Sequence, residues 1–170
     1  MGASMLDDPI TYALLAALAI ALVWAAFTDI KSRRIANWLN GAIAIGAPVY
    51  WYASGLSLWP DVAIQIGLGL LVFAVGSILF AMRQMGGGDV KLLTALALWM
   101  TPLVLLKLVI IMALLGGVLT LVVGIRNVMI RRKKEKTRWA VPYGVAISAA
   151  GLWTISNLTM NAAAAAAVAQ

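Results

Sequence analysis

Hydrophobic residues occur along the chain in six long runs, separated by short segments in which the polar and charged residues collect. The runs extend over residues 10–28, 38–53, 62–82, 90–100, 102–125 and 140–157. A helix that crosses the hydrocarbon core of a bilayer, roughly 30 Å thick, needs about 20 mostly apolar residues. The pattern therefore predicts an all-α, polytopic membrane protein with about six transmembrane helices, forming a single domain over residues 1–158. The alanine-rich segment 159–170 is interpreted as a low-complexity tail without chemistry.

The composition agrees with a membrane protein and excludes several kinds of site. The chain is 64% hydrophobic and 11% charged, more apolar and less charged than a typical soluble domain. It has no cysteine and no histidine, which excludes disulfides, thiolate metal sites and imidazole as base or ligand. We therefore expect neither a metal nor a cofactor.

The basic residues predict how the chain is threaded through the membrane. All 13 except Lys107 follow the first, third or fifth hydrophobic run. Basic loops stay in the cytoplasm, so both termini are predicted on the outer, periplasmic side. Lys107 lies near the outer end of the fifth run, where its long side chain can reach the interface. The net charge of +7 is explained by this topology and by anionic lipid headgroups, so lipids are expected partners and nucleic acid is not.

The tryptophans support the same topology. Trp38 and Trp139 mark the predicted cytoplasmic edge, whereas Trp51, Trp59 and Trp99 mark the predicted outer edge. Such placement is typical of the aromatic belts at the two faces of a membrane protein.

Two of the six acidic residues lie at the ends of hydrophobic runs, where placing a charged carboxylate near the membrane core costs free energy. Asp29 ends the first run in "AAFTDIKSRRIANWLN", and Asp89 opens the fourth in "MGGGDVKLLTALALW". The others fall in outer segments or in the basic loop before the sixth run. Each of the two acids is followed two positions later by a lysine, Lys31 or Lys91, with which it could pair. Taken singly, each acid has a structural explanation as an interfacial charge or a helix cap.

The fourth run is too short to cross the membrane alone. From Asp89 to Thr101 a helix would extend only about 18 Å. Asp89 and the glycines before it are therefore predicted to line a wet cleft below the surface, since irregular backbone at depth is found against protein or water. Ionisable groups in such places are candidates for function.

Two carboxyl groups in one cleft can carry out acid and base chemistry together. When they approach closely, one keeps a proton while the other stays ionised and can deprotonate an attacking water. Either Asp29 or Asp89 can hold the proton, because a coupled pair titrates as a unit. The glycines Gly86, Gly87 and Gly88 would leave room for an extended peptide beside the acids. They could equally form a tight turn before the fourth helix.

These motifs resemble those of the type IV prepilin peptidases, intramembrane aspartic proteases of the GxGD class. In that family one catalytic aspartate follows the first span of the peptidase core, ahead of a basic stretch and an Ile-Pro-Asn motif, and the second sits in GxGD before Val-Lys-Leu. The matching segments here are residues 29–37 and 86–92, with Ala36 where the family commonly has proline. A third similarity, "VPYGVAIS" at residues 141–148, is interpreted as packing. The resemblance implies two catalytic residues, Asp29 and Asp89, and a set that binds substrate or shapes the loop: Gly86, Gly87, Gly88, Lys31, Lys91 and Asn37.

The resemblance further implies a function. It predicts a membrane-embedded aspartic endopeptidase that removes the basic leader from prepilin-like substrates at the cytoplasmic face of the bacterial inner membrane, for pilus assembly or secretion. Because the cysteine-bearing segment of the bifunctional members is absent, the chain looks like the short, peptidase-only form of tight-adherence pilus systems. Two other interpretations remain open: a small proton-coupled carrier, and a non-catalytic assembly subunit in which the acids bind neighbouring spans.

Overall fold

A computed structural model describes residues 9–132 and 143–168, and in these residues the fold is all-α, as predicted. A π-helical turn at Leu58–Val62 leads into the third of six helices. The helices are α1 Pro9–Ser32, α2 Asn37–Ala53, α3 Ala63–Ala81, α4 Gly87–Ala97, α5 Pro102–Arg132 and α6 Tyr143–Val168.

Three segments are long and apolar enough to cross a membrane: Pro9–Ser32, Leu58–Ala81 and Pro102–Arg126. Their outward faces carry large exposed apolar side chains, such as Ile20, Leu70 and Leu121. An apolar outer surface of this extent suits contact with lipid and would be a liability in water. The chain is therefore an integral membrane protein with three candidate spans.

Helix α4 lies at the centre of the bundle. It packs against α2, α3 and α6, while α1 packs on α2 and α6, and α5 packs on α6. The fully buried side chains Leu92 and Leu96 of α4 form the middle of the core. Helix α3 approaches α4 closely because α3 presents glycine: a Cβ atom at Gly76 would lie 2.8 Å from Val90 Cγ1.

The fourth helix is short, as predicted, since α4 has only 11 residues. At about 1.5 Å per residue its length is about 16 Å. Side chains of α2 bond to its backbone near both ends. Trp51 Nε1 donates to the Leu98 carbonyl at 2.7 Å, and Asn40 Nδ2 donates to the Gly88 carbonyl at 3.3 Å. The Leu98 carbonyl lies at the C-terminal end, where carbonyls have no partner within the helix, so Trp51 supplies the partner that water would otherwise provide.

Trp99 does not belong to an outer aromatic belt, and that prediction is wrong. Its side chain is only 6% exposed, packs directly against Gly46 and stacks on Tyr50 with ring centroids 5.1 Å apart. Its indole N–H donates to the Ile43 carbonyl at 2.9 Å. Because α4 ends so early, the residue that follows it falls within the bundle. Trp59 and Trp38, by contrast, are exposed, which a residue of an aromatic belt must be.

Helices α5 and α6 extend furthest beyond the hydrophobic runs that predicted them. Helix α5 continues from residue 125 to Arg132, and α6 continues from residue 157 to Val168 through the alanine-rich segment. Arginine and alanine both favour helix, so the helices do not end where the hydrophobic runs end. Trp139 and most of the basic loop before α6 lie outside the described residues.

Two arginines adopt left-handed backbone conformations where helices end. Arg33 follows α1 with φ of 54°, and Arg83 follows α3 with φ of 58°. Glycine is usual at such positions because a Cβ atom there costs about 1–2 kcal/mol. After the first turn, Ala36 has φ of −65° and ψ of 135°. That φ is the one proline imposes, so alanine keeps the backbone shape expected of a proline at this position.

The bond from Trp51 to the end of α4 should contribute measurably to stability. Trp51→Phe removes the donor and leaves the Leu98 carbonyl short of a partner, which should lower the free energy of unfolding by about 1–3 kcal/mol. We expect a lower midpoint of thermal unfolding in detergent than for the wild type. The matched control is Trp59→Phe, at a side chain that is 82% exposed, which should leave the midpoint nearly unchanged. Equal midpoints for the two variants would contradict this role.

Candidate active site

The two acids singled out by the sequence line one cleft, although they lie 60 residues apart in the chain. The cleft has a volume of about 300 Å³. Its lining residues come from the end of α1, the turn before α2, and the start of α4: Asp29, Arg33, Arg34, Ile35, Asn37, Gly86, Gly87, Gly88 and Asp89. The structure thus brings together six of the eight residues proposed from the sequence.

Asp29 is held by the main chain of α6. It lies in the last turn of α1 and is only 6% exposed. The Val145 N–H donates to its Oδ2 at 3.3 Å. The first turn of a helix has free N–H groups and a partial positive charge, both of which suit a carboxylate. One oxygen of Asp29 is thereby fixed.

Asp89 occupies the third position of α4 and is half-buried. An acid at this position can reach back to the backbone N–H of the residue before the helix, here Gly86, and so cap the helix. The carboxyl group of Asp89 also lines the cleft. Capping and a role in the cleft are compatible because a carboxylate has two oxygens.

The three glycines differ in what surrounds them. A Cβ atom on Gly86 would lie 2.8 Å from Asp89 Oδ2, too close for any real contact. A Cβ atom on Gly87 would meet the Phe80 ring at 3.3 Å, and one on Gly88 would meet Ile35 at 3.4 Å. Gly86 therefore leaves room for the Asp89 carboxyl group itself.

The lysines do not pair with the acids as the sequence suggested. Lys91 Nζ donates to Asn37 Oδ1 at 2.9 Å, which ties the start of α4 to the start of α2. Asn37 is the first residue of α2. The N-cap position before it is held by Ala36, whose side chain makes no capping hydrogen bond. Lys31 is exposed, with its ammonium 5.9 Å from the centre of the Phe27 ring. Lys31 and Lys91 are thus the two proposed residues that do not line the cleft.

A second cavity of about 450 Å³ adjoins the cleft on the side of α3. The two cavities share Gly87 and Gly88. We call this second cavity the lateral groove; its lining is Phe73, Ser77, Phe80, Gly87, Gly88, Val90 and Lys91. It is mostly apolar, with Lys91 as its one charged lining residue. The cleft therefore continues into an apolar groove between α3 and α4.

Sequence reasoning missed several residues that shape the cleft. Arg33 and Arg34 were interpreted only as topology determinants, yet both line it. Asn40 holds the Gly88 carbonyl from α2, and nothing in its local sequence indicates that partner. Gly144 was assigned to packing, whereas its nearest neighbour is the Asp29 carboxyl group. In the described part of the chain, no cluster of three or more histidine, cysteine or acidic residues could hold a metal.

Comparison with known protein families gives one match. Residues 16–123, more than half of the chain, match the Type IV leader peptidase family. The chain belongs to this family. Comparisons with curated proteins and with solved structures gave no match. Members of the Type IV leader peptidase family are aspartic peptidases of prepilin-like substrates, and both cleft aspartates fall within the matched residues, whereas α6 lies beyond them.

A methyl group on Gly86 should disturb the cleft more than one on Gly87. Gly86→Ala forces the Asp89 carboxyl group to move, and displacement of a reacting group by about 1 Å can cost about 100-fold in rate. We expect peptidase activity on a prepilin-like substrate to fall about 10- to 100-fold. Gly87→Ala adds the same volume but meets only the Phe80 ring, so its activity should stay within about threefold of the wild type. Equal losses in both variants would mean that the glycines serve only to admit substrate.

Proposed function

We propose that the protein is a membrane-embedded aspartic endopeptidase that removes the basic leader from prepilin-like proteins, with Asp29 and Asp89 as its catalytic pair. The observation that carries the proposal is that these two carboxyl groups, from helices far apart in sequence, line one cleft. Membership of the Type IV leader peptidase family supports the substrate class. No cofactor is needed for the reaction proposed.

The chemistry follows from a pair of carboxyl groups that share one proton. The ionised member takes a proton from a water molecule, whose oxygen attacks the carbonyl carbon of the scissile peptide bond. The protonated member donates a hydrogen bond to the carbonyl oxygen and stabilises the negative charge that develops there. The C–N bond then breaks as the leaving nitrogen accepts a proton. The products are a leader that ends in a carboxylate and a protein with a new amino terminus.

We also propose six membrane spans, with both termini on the outer side and the cleft open to the cytoplasm. Arg33 and Arg34 line the cleft, and Arg83 lines a cavity that includes Gly86. Three basic residues thus lie at the same end of the bundle as the two acids. Since basic residues stay on the cytoplasmic side, the pair of acids faces the cytoplasm, where leaders are accessible. The cell compartment is then the bacterial inner membrane, with lipids as neighbours.

Within the family, the chain fits the peptidase-only form that serves tight-adherence pili. The sequence of this chain contains no cysteine, whereas the bifunctional members carry paired cysteines. We therefore propose leader removal without methylation of the new amino terminus.

The catalytic pair is tested by replacing each acid with its amide. Asp29→Asn and Asp89→Asn keep the shape of the side chain but cannot exchange a proton, so each should reduce leader cleavage in membranes by at least about 100-fold. The measurement is the rate of leader release from a prepilin-like substrate, normalised to the amount of enzyme. Asp61→Asn is the control, because Asp61 does not line the cleft and its carboxylate accepts hydrogen bonds from Ser57, four residues earlier. Full leader cleavage by either Asp29→Asn or Asp89→Asn would overturn the proposal that these two residues form the catalytic pair.

The orientation is tested by labelling single cysteines, which is direct because the chain has none of its own. Arg34→Cys at the cleft should react with a membrane-impermeant maleimide in inside-out vesicles and not in intact cells stripped of their outer membrane. Leu58→Cys, at a side chain 83% exposed before α3, should show the opposite pattern. Labelling of both from the same side would contradict the proposed topology.

A further inference from the structure

Helix α6 approaches Asp29 more closely than any side chain would allow. A Cβ atom on Gly144 would lie 2.8 Å from Asp29 Oδ2, 2.9 Å from its Cγ and 2.9 Å from Ile35 Cδ1. Real Cβ atoms essentially never come within 3.0 Å of another heavy atom. Gly144 is buried and sits in the first turn of α6, directly before the residue whose N–H donates to Asp29. Position 144 therefore admits glycine alone without a shift of the carboxyl group or the helix.

We propose that Gly144 is a positioning residue for Asp29. By lacking a side chain, it lets the Val145 N–H reach Oδ2 and so fixes the direction in which the other carboxyl oxygen faces the cleft. The inference rests on the proposed peptidase function and extends it to a helix that lies outside the residues matched by the family. Gly144 touches no reacting atom of the substrate, so its effect passes through Asp29.

The first turn of α6 is itself held by α5. The edge of the Tyr143 ring lies against Gly116, where a Cβ atom would be 3.2 Å away. The Tyr143 hydroxyl lies 3.4 Å from Thr120 Oγ1. With the helix fixed from this side, a methyl group at position 144 cannot be accommodated by moving α6 alone. The buried carboxyl group must shift instead.

Helix α6 supplies its own matched control. Gly151, two turns further along, also faces α1, and a Cβ atom there would lie 2.7 Å from Leu22 Cδ1. The two glycines thus share a helix and an interface, and both are crowded. Only Gly144 is crowded by a carboxyl group. A purely structural role predicts similar consequences at the two positions, whereas a positioning role separates them.

The experiment compares kcat and KM for leader cleavage by Gly144→Ala and Gly151→Ala. For Gly144→Ala we expect kcat to fall about tenfold or more with KM within about threefold of the wild type, because the substrate still binds while Asp29 is misplaced. Gly151→Ala should lower the midpoint of thermal unfolding and keep kcat within about threefold of the wild type. Equal losses of kcat in both variants, or an unchanged kcat in Gly144→Ala, would overturn the inference.

A second variant removes the apolar side-chain atom that crowds position 144. Ile35→Val deletes Cδ1, the one atom outside the carboxyl group among the three nearest to the added methyl group. Combined with Gly144→Ala it should recover the thermal stability that Gly144→Ala loses through this contact, but not kcat. Recovery of kcat in the double variant would assign the effect to Ile35 and overturn the role of Asp29.

A spectroscopic readout keeps this inference separate from the proposed activity. In protein labelled with ¹⁵N-valine, Asp29→Asn should move the Val145 amide resonance by weakening its hydrogen bond, and Gly144→Ala should move it in the same direction. Wild-type protein that cleaves no leader but shows these shifts would refute the proposed function and leave the positioning role standing. A Val145 resonance unmoved in Gly144→Ala would refute the positioning role by itself.

Discussion

A helix that ends in apolar surroundings needs a partner inside the protein for each backbone polar group at its ends. Of the six helices described, α4 is the one for which this requirement matters most. It has only 11 residues, and the residues that follow it, Trp99 and Met100, are buried. Trp51 of α2 bonds to the Leu98 carbonyl at that end, and Asn40 of α2 bonds to the Gly88 carbonyl near the other. The first residues of the helix, Gly87, Gly88 and Asp89, line the cleft together with Asp29. The central helix thus carries one of the two acids into the cleft.

Asp29 is oriented by a backbone N–H group at the start of a helix, that of Val145 in α6. Such a main-chain donor is fixed by the fold. The two lysines that follow the acids in sequence bond elsewhere: Lys91 donates to Asn37, and Lys31 lies over an aromatic ring. Each carboxyl group lies so close to a neighbouring backbone position that glycine is required there, at positions 86 and 144.

The sequence predicted those features that depend on local composition. The short fourth helix followed from the number of apolar residues after Asp89, and the location of both acids at helix ends followed from the charge pattern. It failed where contacts between distant segments decide the outcome. Trp99 looks like an interfacial residue until α4 is seen to end inside the bundle, and the neighbour that requires Gly144 to be glycine comes from α1. The length of a hydrophobic run also shows how much of a segment is apolar and not where its helix ends. For this reason α5 and α6 are longer than predicted.

The bond between Asp29 and Val145 joins residues 116 positions apart. A ribosome therefore completes both acids long before it makes the helix that orients the first of them. While α6 is still unsynthesised, a nascent chain carries the two carboxyl groups without the N–H group that contacts Asp29. The arrangement proposed for the two acids is therefore complete only once α6 has been made.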